Sequence, residues 1–370
     1  MMVRPAIRLV VAAVLLSLGV VAESTADDRP QPILPADNLP ETLVLDRAPL
    51  GLGAAPAPPK ENPLDSARVE LGRRLFFDPI LSRDETVSCA SCHQPDHGFA
   101  SPDKRAIGIH GRRGERNSPT LLNRAFGTSM FWDGRLDTLE EQALEPIENG
   151  FELGFTIPEA IDRLKKHDEY PELFADAFPS HLREKSDAVT RERLAHALAA
   201  FQRVLLLGDS PVDRFHDGEY SALSDDARQG LWIFESRGGC WKCHSGPNFS
   251  DEEFHNTGVA YRNDGPDMGR FMATGKAEHE SQFKTPTLRG LRFTAPFMHD
   301  GSFKDLREVV EFYNEGGTRH APGLDDEIEP LELTDEQVGF IVAFLEALSP
   351  ETPAEMIQAL GEKKSAAGGE

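Results

Sequence analysis

Apolar residues recur at helical spacing in some stretches of this chain and vanish from others, and that alternation sketches its organisation. An apolar run from Leu9 to Ala22 follows Arg4 and Arg8 and ends at Glu23-Ser24-Thr25-Ala26. This is a signal-peptide layout, too short and too early for a membrane span, so residues 1–26 are expected to direct export. Residues 27–62 carry eight prolines and few periodic apolar positions, which predicts an extended arm. From Pro63 the period becomes helical. Ser66 to Phe77 reads as a helix ending before Asp78-Pro79. Further helices are expected over Leu136–Leu144 and from the capping box Thr156-Ile157-Pro158-Glu159 to about His167. Another runs from Thr190 to Leu206, with Leu194, Ala197, Leu198, Phe201, Val204 and Leu205 on one stripe. Gly208-Asp209-Ser210-Pro211 breaks it and marks a domain boundary. Helices return at Asp305–Asn314 and Thr334–Leu348, Pro350 stops the last, and residues 351–370 read as a loose tail. Long irregular loops fill His97–Asn117 and Phe249–Phe283.

One pentapeptide occurs twice, as Cys89-Ala90-Ser91-Cys92-His93 and as Cys240-Trp241-Lys242-Cys243-His244. C-x-x-C-H is the attachment signature of a c-type haem. Two thiols three positions apart add to the vinyl groups on one porphyrin edge, and the adjacent imidazole takes an axial position on iron. A redox pair of thiols or half of a zinc site are the alternatives for one copy. Here both copies end in Cys-His and together use all four cysteines, which favours two covalent haems. Gly230-Leu231-Trp232-Ile233-Phe234 precedes the second copy much as Gly72-Arg73-Arg74-Leu75-Phe76 precedes the first. With 151 residues between the copies, this weak repeat predicts two domains, residues 63–208 and 209–350. The expected fold is mainly α, with two cytochrome-c-like haem domains and long irregular loops.

Composition changes the picture in one respect. The chain is 39% hydrophobic and 27% charged, as a soluble globular protein is, but its net charge is −23. Such a surface repels nucleic acid and anionic lipid, and suits a basic protein partner or simply solubility. Covalent attachment of c-type haem takes place outside the cytoplasm, so the leader and the motifs agree on the periplasm.

Two haems by themselves need only carry electrons. The stretches Arg116-Asn117-Ser118-Pro119-Thr120-Leu121-Leu122-Asn123, Phe131-Trp132-Asp133-Gly134-Arg135 and Leu139-Glu140-Glu141-Gln142-Ala143, however, resemble the bacterial di-haem cytochrome c peroxidase and MauG family. Thr285-Pro286-Thr287-Leu288-Arg289 and Thr294-Ala295-Pro296-Phe297-Met298-His299-Asp300-Gly301 do the same, in family order. The likeness spans about residues 63–350.

That resemblance implies an enzyme whose first haem, with His93 as proximal ligand, meets hydrogen peroxide. Glu152 matches the distal acid/base carboxylate, with Gln142 and Pro146 as its neighbours. Trp132 matches the relay between the haems. His110 lies one residue out of register with a histidine that ligates the first iron at rest, whereas His97 reads as a solvated loop residue. Asn117 and the carbonyls of Thr294 and Pro296 match ligands of a calcium ion. His244 and Tyr313 would ligate the second iron. Ordinary peroxidases carry methionine at the latter position and MauG carries tyrosine; a phenolate favours oxidised iron and lowers the potential. The residue matching MauG's surface tryptophan is Gly238, which sets this chain apart from MauG. The implied reaction is peroxide reduction with electrons from a small cytochrome c or copper protein. Oxidation of a partner's side chains, as by MauG, and non-catalytic electron transfer are the alternatives. The resemblance also allows a homodimer, although no stretch identifies an interface.

Overall fold

The computed structural model describes residues 49–179, 183–262 and 266–352. The expected leader, most of the arm and most of the tail lie outside them. Helix dominates, and the only sheet among the described residues is a two-stranded antiparallel ribbon, β1 (Phe254–His255) against β2 (Phe283–Lys284). No helix among them is long and apolar enough to cross a membrane.

Eight helices of six or more described residues form the frame. They are α1 (Ser66–Phe77), α2 (Ile157–Lys166), α3 (Tyr170–Ala177), α4 (Arg191–Arg203), α5 (Pro211–His216), α6 (Asp225–Glu235), α7 (Leu306–Asn314) and α8 (Asp335–Glu346). Most starts follow side-chain capping. Asp65 accepts from the Arg68 amide at 2.9 Å, and Thr156, Ser210 and Thr334 each open a capping box. The expected boundaries of α1, α2, α4, α7 and α8 therefore agree closely with those observed. The expected helix over Leu136–Leu144 is instead two single turns, Leu139–Gln142 and Glu145–Glu148. Pro146 opens the second of them, where its missing N–H costs nothing. The break at Gly208–Pro211 is real, but Ser210 and Pro211 also start α5 in the positions that favour a helix N-terminus.

Two helix pairs build the core, and they are close copies. Helix α1 crosses α4 at Gly72, where an added Cβ would lie 1.9 Å from the Ala197 carbonyl oxygen. Helix α6 crosses α8 at Gly230, where the same atom would lie 1.9 Å from the Phe340 carbonyl oxygen. Only glycine allows backbones this close. One turn later in each first helix stands a phenylalanine that packs on one from the partner helix. Phe76 and Phe201 have ring centroids 5.0 Å apart at 54°, and Phe234 and Phe344 lie 4.9 Å apart at 54°. A third ring closes each cluster, Phe99 in the first half and Phe249 in the second. Buried apolar clusters divide at the same place in the chain. Those around α1 and α4 draw their buried members from residues before Gly208, and that around α6 and α8 from residues after it.

Because backbone atoms close the crossing, Gly230→Val should force α6 and α8 apart, costing about 2–3 kcal/mol. Denaturant unfolding followed through the second-half aromatic signal would register the loss. An unchanged midpoint would show that the crossing is not the constraint described.

Candidate active site

Each C-x-x-C-H motif ends where its helix pair presents the third phenylalanine. Both Phe99 and Phe249 have left-handed backbones, with φ of 54° and 49°. This costs free energy for a bulky residue and turns the carbonyl back toward the motif. The His93 Nδ1–H donates to the Phe99 carbonyl at 3.0 Å, and the His244 Nδ1–H donates to the Phe249 carbonyl at 2.9 Å. That fixes the tautomer and leaves each Nε2 lone pair free for a metal. Burial lowers the pKa of both rings, which favours their neutral form at pH 7.

The cysteines are all free thiols. Burial pushes Cys89, Cys92 and Cys240 up to about 12. A redox dithiol or a zinc site needs accessible thiolate, which these positions disfavour. Addition to a vinyl group leaves a neutral thioether, which suits them. Cys243, Asp251 and His255 also bring ligand atoms within 4.8 Å of one another. His255, however, is bonded at both ring nitrogens, Nδ1 to Asp325 at 2.6 Å and Nε2 to Asp251 at 3.1 Å. Cys243, Asp325 and Asp251 together push it up to about 10 against the effect of burial, and a protonated imidazole offers a metal no lone pair.

Around the first motif, Glu152 lies close enough to Cys89 and Cys92 for its charge to raise both thiols. Burial raises the pKa of Glu152 itself. The Arg135 charge and a 2.6 Å hydrogen bond from Asn149 Nδ2 oppose that rise. Gln142 ends the turn Leu139–Gln142, and its Oε1 is buried with no protein partner, as a group awaiting a ligand would be. Pro146 holds the same loop, its carbonyl accepting from the Leu153 amide at 3.1 Å.

His110 does not join this group. It sits at the tip of a hairpin pinned by Gly108 N–H to the Arg112 carbonyl (2.7 Å) and Ile109 N–H to the Glu152 carbonyl (2.8 Å). Its side chain is 57% exposed, with Nδ1 3.5 Å from Asp84. In this conformation it is a surface residue, because its left-handed φ of 55° turns the ring outward from the hairpin.

A largely apolar cavity, walled by Leu288, Val309, Val310, Ile341 and Leu345, contains Cys240, Cys243, His244 and Tyr313. Tyr313, on α7, lies beneath the surface but borders this cavity. Burial pushes its phenol up to about 12, and a hydrogen bond with Thr257 partly offsets that. The apolar walls, the two thiols and the free imidazole face fit a covalent haem, and Tyr313 offers a phenol oxygen within the same walls.

Trp132 borders the cavity too. Its indole N–H donates to the Asn117 carbonyl at 2.9 Å, and its own carbonyl accepts from the Lys284 amide at 2.8 Å. The ring meets His299 edge-on at 6.5 Å, and His299 stacks on Phe283 at 3.6 Å. The cavity wall continues to Pro119, whose backbone lies near enough to the His93 ring to influence its charge. Trp132 thus stands in packing shared by both motifs. Asn117, Thr294 and Pro296 all line this cavity, and the Asn117 side-chain N–H donates to the Asp103 carbonyl at 3.1 Å. Sequence reasoning missed His255, Lys284 and the two carbonyl-bearing phenylalanines. Phe99 and Phe249 were findable, since they follow the motif histidines by six and five residues.

A family model described as di-haem cytochrome c peroxidase matches residues 66–221. The methylamine utilization protein MauG of Methylorubrum extorquens is 40% identical over 296 residues, covering 80% of this chain and 82% of that protein. The cytochrome c551 peroxidase of Pseudomonas aeruginosa is 34% identical over 299 residues, 79% of this chain and 81% of that one. Among solved structures, a MauG-like protein associated with microbial copper homeostasis superposes with a TM-score of 0.76 at 29% identity, covering 83% of this chain and 95% of that one. The twin motifs, the helix frame and these relatives lead to one conclusion: the chain belongs to the di-haem cytochrome c peroxidase family, a family of oxidoreductases.

Proposed function

We propose that this chain is a periplasmic di-haem c-type peroxidase with a histidine–tyrosine second site. The observation that carries the reading is the matched pair of C-x-x-C-H motifs, each with its histidine Nδ1–H fixed on a left-handed phenylalanine carbonyl. The two sites differ in what surrounds them. Buried Glu152 and the unpartnered Gln142 accompany the first, and Tyr313 accompanies the second. When bound, the two haems supply the iron chemistry that reduces peroxide and stores oxidising equivalents.

The protein's own part is proton handling, ligation and relay. Cys89, Cys92 and His93 would hold the first haem, and Cys240, Cys243, His244 and Tyr313 the second. Glu152 takes a proton from the nearer peroxide oxygen and returns it to the leaving oxygen. Its raised pKa suits it to both halves of that exchange. Gln142 Oε1 orients the peroxide by accepting a hydrogen bond. Trp132 passes an electron between the sites, its N–H spent on a carbonyl that cannot take the proton. Tyr313 would hold the second haem through its phenol oxygen, since a nearby trivalent cation would offset the cost of burying a phenolate. Asn117 and the carbonyls of Thr294 and Pro296 would hold a calcium ion. With His110 on the surface, nothing from that hairpin has to leave before peroxide enters. Electrons return from a small cytochrome c or copper protein. Oxidation of a partner's side chains is the second reading. It is favoured by Tyr313 and by Trp241, about half exposed within the second motif and sharing a surface groove with His244.

Slight excess hydrogen peroxide added to the fully oxidised protein without reductant should abolish both ferric electron paramagnetic resonance signals within seconds. Silence before and after one-electron reduction would leave an electron carrier instead. Glu152→Gln should slow this reaction about 10²–10⁴-fold while haem content stays intact. In the parent protein the rate should fall as pH drops through the raised Glu152 pKa, because only the carboxylate accepts the proton; the variant should lack this limb. Tyr313→Met should raise the midpoint potential of the second haem in a spectroelectrochemical titration. An unchanged potential would mean that Tyr313 is not a ligand.

A further inference from the structure

Three buried charges meet across the seam between the two halves, and the reaction proposed above uses none of them. Arg124 comes from the first half, Glu252 and Lys284 from the second. The Arg124 guanidinium grips both Glu252 oxygens at 3.1 Å, and the Thr128 amide donates to the same carboxylate at 3.3 Å. That pair is complete without a third member. Yet the Lys284 ammonium lies 3.4 Å from Glu252 Oε2, and both side chains are only 8% exposed. Two cations thus share one anion in a poorly solvated place, and Lys284 has the longer, single contact.

Its position is as informative as its charge. Lys284 is in β2 and pairs with Phe254 across the ribbon. Its amide donates to the carbonyl of Trp132, and it borders the cavity that contains Cys243 and His244. A surplus buried cation therefore stands between the relay tryptophan and the second motif, where charge must change as electrons come and go. Burial and the Arg124 charge bring the Lys284 amine down to about 7, while Glu252 and Asp251 hold it up. Both protonation states are thus accessible at neutral pH. The other titratable groups bordering the cavity are His255, His299, Tyr313, Glu327 and Glu329. His255 is held protonated by its carboxylate partners, and His299 is held neutral by burial, at about 4.

We propose that Lys284 is the proton-exchanging group of the second site. It releases its proton to solvent when that site gives up an electron to the first, and regains one when the external donor returns the electron. One electron and one proton leave together and return together, so the buried charge stays nearly constant. The idea rests on the two-haem reading but concerns only how the second site balances charge.

The test is a redox titration of the haem-loaded protein between pH 6 and 8, following the second haem by its optical and paramagnetic signals, without peroxide. Rising pH removes the Lys284 charge, destabilises the reduced form and lowers the potential. At a fixed applied potential, the ratio of reduced to oxidised second haem should fall roughly three- to tenfold per pH unit. Lys284→Met should flatten this dependence at the low-potential side and Lys284→Arg at the high-potential side; a merely structural role would not produce opposite plateaus. Glu252→Gln, which removes the anion holding the proton, should move the sloping window to lower pH. A slope that persists in Lys284→Met, or a flat parent protein, would overturn the proposal. Since no peroxide is used, that failure is separate from failure of the peroxidase reading.

Discussion

A single kind of hydrogen bond, from a histidine ring to the carbonyl of a left-handed phenylalanine, is the point on which both halves turn. Without it a motif imidazole could rotate or change tautomer, and the nitrogen meant for a metal would carry the proton. The bond requires a strained residue, and strain persists only where surroundings impose it. Here the Phe99 and Phe249 rings are wedged against Phe76 and Phe201, or Phe234 and Phe344. Those rings meet because glycine lets each helix pair come into backbone contact. The glycine, the ring cluster, the turned carbonyl and the oriented imidazole form one causal series, repeated in each half.

What differs between the halves is charge and donor chemistry. Near the first motif lies a buried carboxyl whose pKa is raised by burial, and ten residues earlier in the chain stands a buried amide oxygen with no partner. Those groups can move a proton and orient a small polar molecule. The second has an apolar cavity with a phenol in its wall, an arrangement that favours holding oxidised metal over binding substrate. Trp132 joins them through its backbone and ring contacts, and the hairpin that carries His110 is tied to the Glu152 loop by one amide.

Much of this was legible in the chain. The twin pentapeptides carry their spacing in the sequence, and the capping residues Asp65, Thr156 and Thr334 place helix starts because they act on amides two or three residues away. Pro211 misled in part, since α4 already ends at Arg203 and Pro211 instead suits the first turn of the next helix. Leu136–Leu144 read as one helix from its apolar spacing, although the helical turn stops at Gln142 and a second one starts only at Glu145. His110 could not be located from sequence, because whether a loop histidine faces a pocket depends on a backbone torsion and on what the loop rests upon.

The sequence by itself determined the attachment chemistry, the helical frame and the family, because motif spacing, helical period and caps act over a few residues. The tertiary structure decided which way the imidazoles face, that Tyr313 shares a cavity with His244, that His110 lies at the surface, and that Lys284 is buried beside Glu252. Each of these depends on groups more than 30 positions apart, or on a carbonyl direction set by distant packing. Burial and proximity across such separations have no local signal, so only the folded chain reveals them.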